Sequence, residues 1–141
     1  MPRNIKNCLE TKTFSFKTTV FGQLMSKANS RRIVMFGNRP ASIKSAKANA
    51  YTESFLIQSK SWNHQGQEWP YTGDVVLTAR VYYASRRPDL DIELLKDCIQ
   101  KSGIILNDRQ VKEQHAFWFL DKNNPRVDFW IEEKSTISFI S

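Results

Sequence analysis

The stretch DVVLTARVYYA, residues 74–84, constrains the fold more than any other segment of the chain. Successive side chains of an extended backbone point to opposite faces, so Val75, Leu77, Ala79 and Val81 share one side and Val76, Thr78, Arg80 and Tyr82 the other. A strand with one wholly apolar face must bury it under a second layer. DIELLKDCIQKSG, residues 91–103, supplies one. At helical spacing Leu94, Leu95, Cys98 and Ile99 form an apolar stripe, while Glu93, Lys96, Asp97, Gln100 and Lys101 lie on the other side. Asp91 suits the start of this helix, where a carboxylate meets unpaired N–H groups and the positive end of the dipole. Gly103 suits its end.

The other elements follow from the same rules. FSFKTTVFG (14–22) reads as a strand, and QLMSKANSRRIVMFGNRPAS as a loop or short hairpin. IKSAKANAYTESFLIQS (43–59) reads as a helix with Ser45 as a candidate N-cap. KSWNHQGQEWPYTG is a long polar loop carrying two tryptophans. GIILNDRQV is an apolar run that turns at Asn107-Asp108. EQHAFWFLD and PRVDFWIEE read as strands joined by the turn DKNNP, and TISFI as a further edge strand. The aromatic residues of AFWFL and DFW are expected in the core or an interface. The polar residues 1–12 are expected to be flexible. The sum is a single α+β (mixed α/β) domain over residues 1–141, with a mixed β-sheet covered on one side by two helices.

No apolar run approaches the roughly 20 residues of a membrane span. The start, MPRNIKNCLE, lacks the apolar core of a signal peptide, so the expectation is an intracellular protein. Cys8 and Cys98 have no metal-ligand spacing, Cys98 reads as a small core residue, and His64 and His115 suggest no zinc site. The charge is uneven. Residues 1–50 hold ten Lys/Arg against one acid, Glu10, whereas residues 51–141 hold eleven against thirteen acids. A basic half beside an acidic half fits a polyanionic partner met by the first and a cation held by the second. A solvated basic surface is the alternative.

RRPDLD, residues 86–91, brings the two together. In extended chain Asp89 and Asp91 point to the same side and can converge on one divalent cation. Mg²⁺ takes oxygen ligands and is commonly held by one or two carboxylates with waters. Asp108 could add a third. Such a cation activates water and offsets charge in phosphodiester cleavage, with Arg86 and Arg87 holding the flanking phosphates. The same D-x-D could merely cap a helix in a non-catalytic nucleic-acid-binding protein. It could also serve another phosphoryl or glycosyl enzyme, although the chain has no glycine-rich phosphate loop and no nucleotide-binding fingerprint.

RRPDLD, the helix behind it and GIILNDRQV together resemble the RusA-like Holliday junction resolvases. FGQLMSKANSRR and RPASIKSAKANAY are similar to the amino-terminal part of phage-type members, and DKNNPRVDFWIEE to the last strands. The resemblance spans residues 16–133. It implies a RusA-like fold and a homodimeric, Mg²⁺-dependent endodeoxyribonuclease, with Mn²⁺ a possible substitute. Such an enzyme cuts paired strands of a four-way DNA junction in recombination and repair, in a bacterial host cytoplasm and with a phage or prophage origin. It uses no nucleotide cofactor and no membrane. The family's essential aspartates match Asp89, Asp91 and Asp108, and a fourth, often aspartate, matches Asn107. The family lysine lies four residues past the second aspartate, where this chain has Leu95. Lys96 is the candidate in its place, and Lys101 the second. On a helix that began at Asp91, Lys96 would be rotated away from the family position. The basic segment offers Lys27, Arg31, Arg32, Lys44 and Lys47, with Arg39 between them, as DNA contacts beside Arg86 and Arg87.

Overall fold

The alternation of residues 74–84 is realised in a computed structural model that describes residues 13–26 and 31–134. Strands are β1 (Ser15–Phe21), β2 (Arg31–Phe36), β3 (Arg39–Lys44), β4 (Val75–Tyr83), β5 (Val111–Leu120) and β6 (Arg126–Glu133). The helices are α1 (Ala46–Ser59) and α2 (Glu93–Ser102), and a 3₁₀ turn covers Asp108–Gln110. Four strands form a mixed sheet in the order β1-β6-β4-β5, with β4 and β5 parallel and the other pairs antiparallel. β2 and β3 form a separate two-stranded hairpin. The fold is α+β, with one hydrophobic core. Among the described residues no helix is long and apolar enough to cross a membrane.

The sheet's inner face follows from register. One row across it reads Val20, Val127, Val81, Trp118, and another Phe16, Ile131, Leu77, Gln114. Apolar side chains fill the first three strands of each row, and polarity enters at the β5 edge. Both helices bury their apolar sides over this face, α1 through Tyr51 and Phe55, α2 through Leu94, Leu95, Cys98 and Ile99. Cys98 is buried, with its thiol 3.6 Å from the Thr52 hydroxyl. Trp62 and Trp69, from the long polar loop, also pack on the core, where Phe16, Phe55, Trp62 and Phe129 meet ring against ring.

Several boundaries differ from the sequence reading. Ile43 and Lys44 belong to β3, and α1 starts only after Ser45, whose hydroxyl accepts from the Ala48 N–H. A short polar side chain competing for backbone N–H groups ends the strand and begins the helix. The helix expected over 91–103 begins at Glu93, because the Asp91 carboxylate accepts the Glu93 N–H from outside it. Gly103 closes it at φ 92°, a left-handed conformation that glycine adopts without a Cβ penalty. Of the aromatic strand residues, Phe129 is core, but Phe117 and Phe119 project from the uncovered face and are exposed. The expected flexible segment 1–12 and edge strand TISFI lie outside the described residues.

Candidate functional site

The acid pair sits in the connection between β4 and α2, and two aromatic side chains, one buried and one half-buried, tie that connection to the sheet. Tyr83, the last residue of β4, is fully buried, and its hydroxyl donates to the Asp89 carbonyl at 3.2 Å. The Trp118 indole N–H donates to the Pro88 carbonyl at 2.9 Å. The two rings lie 5.8 Å apart. Gln23 accepts the Ala84 N–H at 2.8 Å. Burial pushes the Tyr83 phenol above its ordinary pKa; a backbone hydrogen bond from Asp91 acts in the opposite sense, and the charges of Asp91 and Asp89 add to the rise. The RRPDLD backbone is thus held from beneath by rigid donors, with Arg86, Arg87 and Asp89 exposed above.

Two cavities meet at Asp89. One, of about 390 Å³, is lined by Ser26, Asp89, Asp91, Glu93 and Gln114 among others. The second, of about 620 Å³, is lined by Gln23, Ser26, Lys47, Arg87, Pro88 and Asp89 among others. Asp89 and Ser26 belong to both walls, so carboxylates lie to one side and two cations to the other. The first cavity offers carboxylate and amide oxygens with space for water, a donor set that fits a hard divalent cation such as Mg²⁺.

Lys96 contacts two residues that line this first cavity, Glu93 and Gln114. Because α2 starts at Glu93, Asp91 is not on the helix, and counting helical rotation from Asp91 does not set the direction of Lys96. Its ammonium is 2.9 Å from the Glu93 carboxylate and donates to the Gln114 side-chain Oε1 at 3.0 Å, with 15% of the side chain exposed. Lys101 is exposed in the last turn.

Asp108 stands elsewhere. Its backbone N–H donates to Gln100 Oε1 at 2.9 Å, and Gln100 lies seven residues past Glu93, about 10 Å along the helix axis. Among the described residues no three His, Cys, Asp or Glu side chains form a metal-holding group. The N-D-x-Q segment has a structural job of its own. Asn107 Oδ1 accepts the Arg109 N–H at 2.8 Å. Gln110 accepts from the N–H groups of Leu106 and Asn107 and donates to the carbonyls of Tyr71 and Gly73. Gln110→Ala removes the partner of four backbone groups, and urea denaturation is expected to show a loss of about 2–4 kcal/mol. A loss below about 0.5 kcal/mol would mean that water replaces these bonds without cost.

The remaining basic candidates divide by place. Lys47 and Arg87 line the larger cavity and Arg86 is exposed beside it. Arg31 and Arg32 open β2, and Lys44 closes β3 opposite Arg31. Lys27 lies outside the described residues. Sequence reasoning missed Gln114, Tyr83 and Trp118 as site residues. Gln114 had a legible signal, a polar residue sharing the inward strand positions of Ala116 and Trp118. Compared with known proteins, the chain matches no family model and no curated protein sequence.

Proposed function

We propose that the chain is a Mg²⁺-dependent, structure-selective endodeoxyribonuclease that resolves four-way DNA junctions by paired symmetric nicks, in the manner of the RusA-like enzymes it resembles. The observation that carries this reading is Asp89 on the wall shared by an acid-lined and a cation-lined cavity. Lys47 and Arg87 bind phosphates flanking the scissile bond as charge partners. Asp89 and Asp91 hold Mg²⁺, or Mn²⁺ in its place. When bound there, the cation would supply activation of water and neutralisation of charge for phosphodiester hydrolysis. Lys96, drawn towards Gln114, adds positive charge beside the reacting phosphate. Asp108 joins as a third carboxylate only if its turn moves from the Gln100 contact. A homodimer presents two such sites about a two-fold axis, matching the approximate symmetry of the junction. Action in a bacterial cytoplasm, on phage or prophage DNA, belongs to the same proposal.

A labelled mobile four-way junction and a duplex of the same sequence, each with Mg²⁺ and with EDTA, test it. The expected result is paired nicks in the junction alone and with Mg²⁺ alone. Equal cutting of duplex, or cutting in EDTA, would overturn it. A second reading, a branched-DNA-binding protein without catalysis, is favoured by one observation: the Asp91 carboxylate already serves as a helix cap. Tight junction binding with no product under any divalent cation would select that reading.

A further inference from the structure

We propose that the β2–β3 hairpin is a wedge that enters the branch point of the DNA and stacks its apolar tip against bases exposed there. The inference depends on the reading above only for the identity of the substrate as branched DNA. The hairpin stands apart from the main sheet as its own two-stranded unit. Such a unit is marginal in water alone and gains from a partner surface. Its chain reverses at Gly37-Asn38, with Gly37 at φ 66°, the first of two turn positions and one that favours glycine. Around that turn the side chains are apolar yet face solvent: Ile33 is 67% exposed, Met35 61% and Phe36 63%. Phe36 pairs across the turn with exposed Arg39.

Charge selects the occupant. From residue 11 to residue 52 the chain contains no acid, and the hairpin itself carries Arg31, Arg32, Arg39 and Lys44. An apolar tip with Arg39 beside it, on a hairpin whose base carries Arg31, Arg32 and Lys44, suits a ligand that offers flat apolar faces within a polyanion, which is what unpaired or unstacked bases between phosphates present. Met and Phe are among the residues that proteins insert between base steps. The chain also places the hairpin beside the acid pair. Ser26, which lines both cavities, precedes β2 by five residues, and Lys47, in the larger cavity, follows β3 by three. Strands of six residues span about 20 Å from base to tip. The base of the hairpin is thus at the cleft, and its tip reaches along the bound nucleic acid.

The test uses the full chain and a four-way junction with 2-aminopurine at the branch, titrated in EDTA, where cleavage is not in play. Wild-type protein is expected to raise the fluorescence as the base unstacks. Phe36→Ala is expected to abolish that rise and to weaken junction binding about tenfold, the loss of one aromatic stacking partner, while duplex binding changes less than about twofold. Arg39→Gln should weaken junction and duplex binding alike and reduce the salt dependence of both. An unchanged fluorescence rise in Phe36→Ala, and again in the Met35→Ala/Phe36→Ala double variant, would overturn the wedge. So would a change in sedimentation with DNA binding untouched, which would make the tip a contact between two copies of the chain. A fluorescence rise with no cleavage in Mg²⁺ would sink the nuclease reading and leave the wedge standing.

Discussion

Asp91→Asn is expected to yield a folded protein that still binds a four-way junction and no longer cuts it, with the cleavage rate down by about 10²–10³-fold or more. The choice of asparagine matters because Asp91 has two roles to separate. Its Oδ1 accepts the Glu93 N–H at 2.9 Å and so caps α2. The residue directly before the helix, Ile92, is apolar and buried and makes no such bond. Asparagine keeps an oxygen in the same position and is about as good a cap as aspartate, so stability should stay within about 0.5 kcal/mol. What asparagine lacks is the charge a divalent cation requires. Asp91→Ala, by contrast, removes charge and cap together and should cost about 1 kcal/mol as well as activity. Single-turnover cleavage beside thermal denaturation separates the outcomes. An Asp91→Asn protein that cuts at the wild-type rate would reduce the acid pair to a helix cap.

The largest stability effect is expected at Phe129. Phe129→Ala should cost about 3–5 kcal/mol and lower the melting temperature by on the order of 10–20 °C. Phe129 lies on β6, fully buried, with its ring stacked on Phe55 at 6.1 Å and edge-on to Trp62 at 6.0 Å. Its neighbours come from β1, α1 and the loop after α1, so the cavity left by alanine has walls fixed by three separate elements and cannot easily collapse. The adjacent residue gives the control. Trp130 points to the uncovered face, with Lys17 Nζ at 5.3 Å and Arg80 Cζ at 5.4 Å from its ring centre. Trp130→Ala forfeits cation–π contacts at a partly exposed site, a loss of about 1 kcal/mol. Equal costs at the two positions would contradict the placement of both helices on one side of the sheet.

The elements that sequence reasoning located share one property: their pattern is local. β4 and α2 announce themselves because alternation and helical stripes are complete within a dozen residues. The hairpin was legible only as one of two options, since Ile33, Met35 and Phe36 are apolar yet exposed. The acid pair was legible as an acid pair, but its surroundings were not. Gln114 meets Lys96 across 18 positions, Trp118 meets Pro88 across 30, and Gln110 meets Tyr71 across 39. Each bond depends on where β5 docks beside β4, which no local period encodes. Asp108 shows the converse. Three aspartates in the right order invite a single cluster, yet α2 carries the chain about 10 Å away before Asp108 appears. The direction of Lys96 depends on where α2 begins, which the Asp91 cap sets at Glu93, two residues past Asp91.

The strand order has a consequence for how the molecule comes into being. β5 and β6 are joined by a five-residue turn, but β4 lies between them, so the obvious local hairpin is not formed. Instead β6, the last described strand to be synthesised, sits between β1 and β4 and pairs with both. Until residues 126–133 have left the ribosome, β1 has no strand beside it and β4 has only one. Contacts of such long sequence separation close slowly, because loop entropy must be lost before pairing returns anything. The nascent chain therefore waits, with the apolar face of β4 and its unpaired edge in need of shelter, and the sheet closes in one late step.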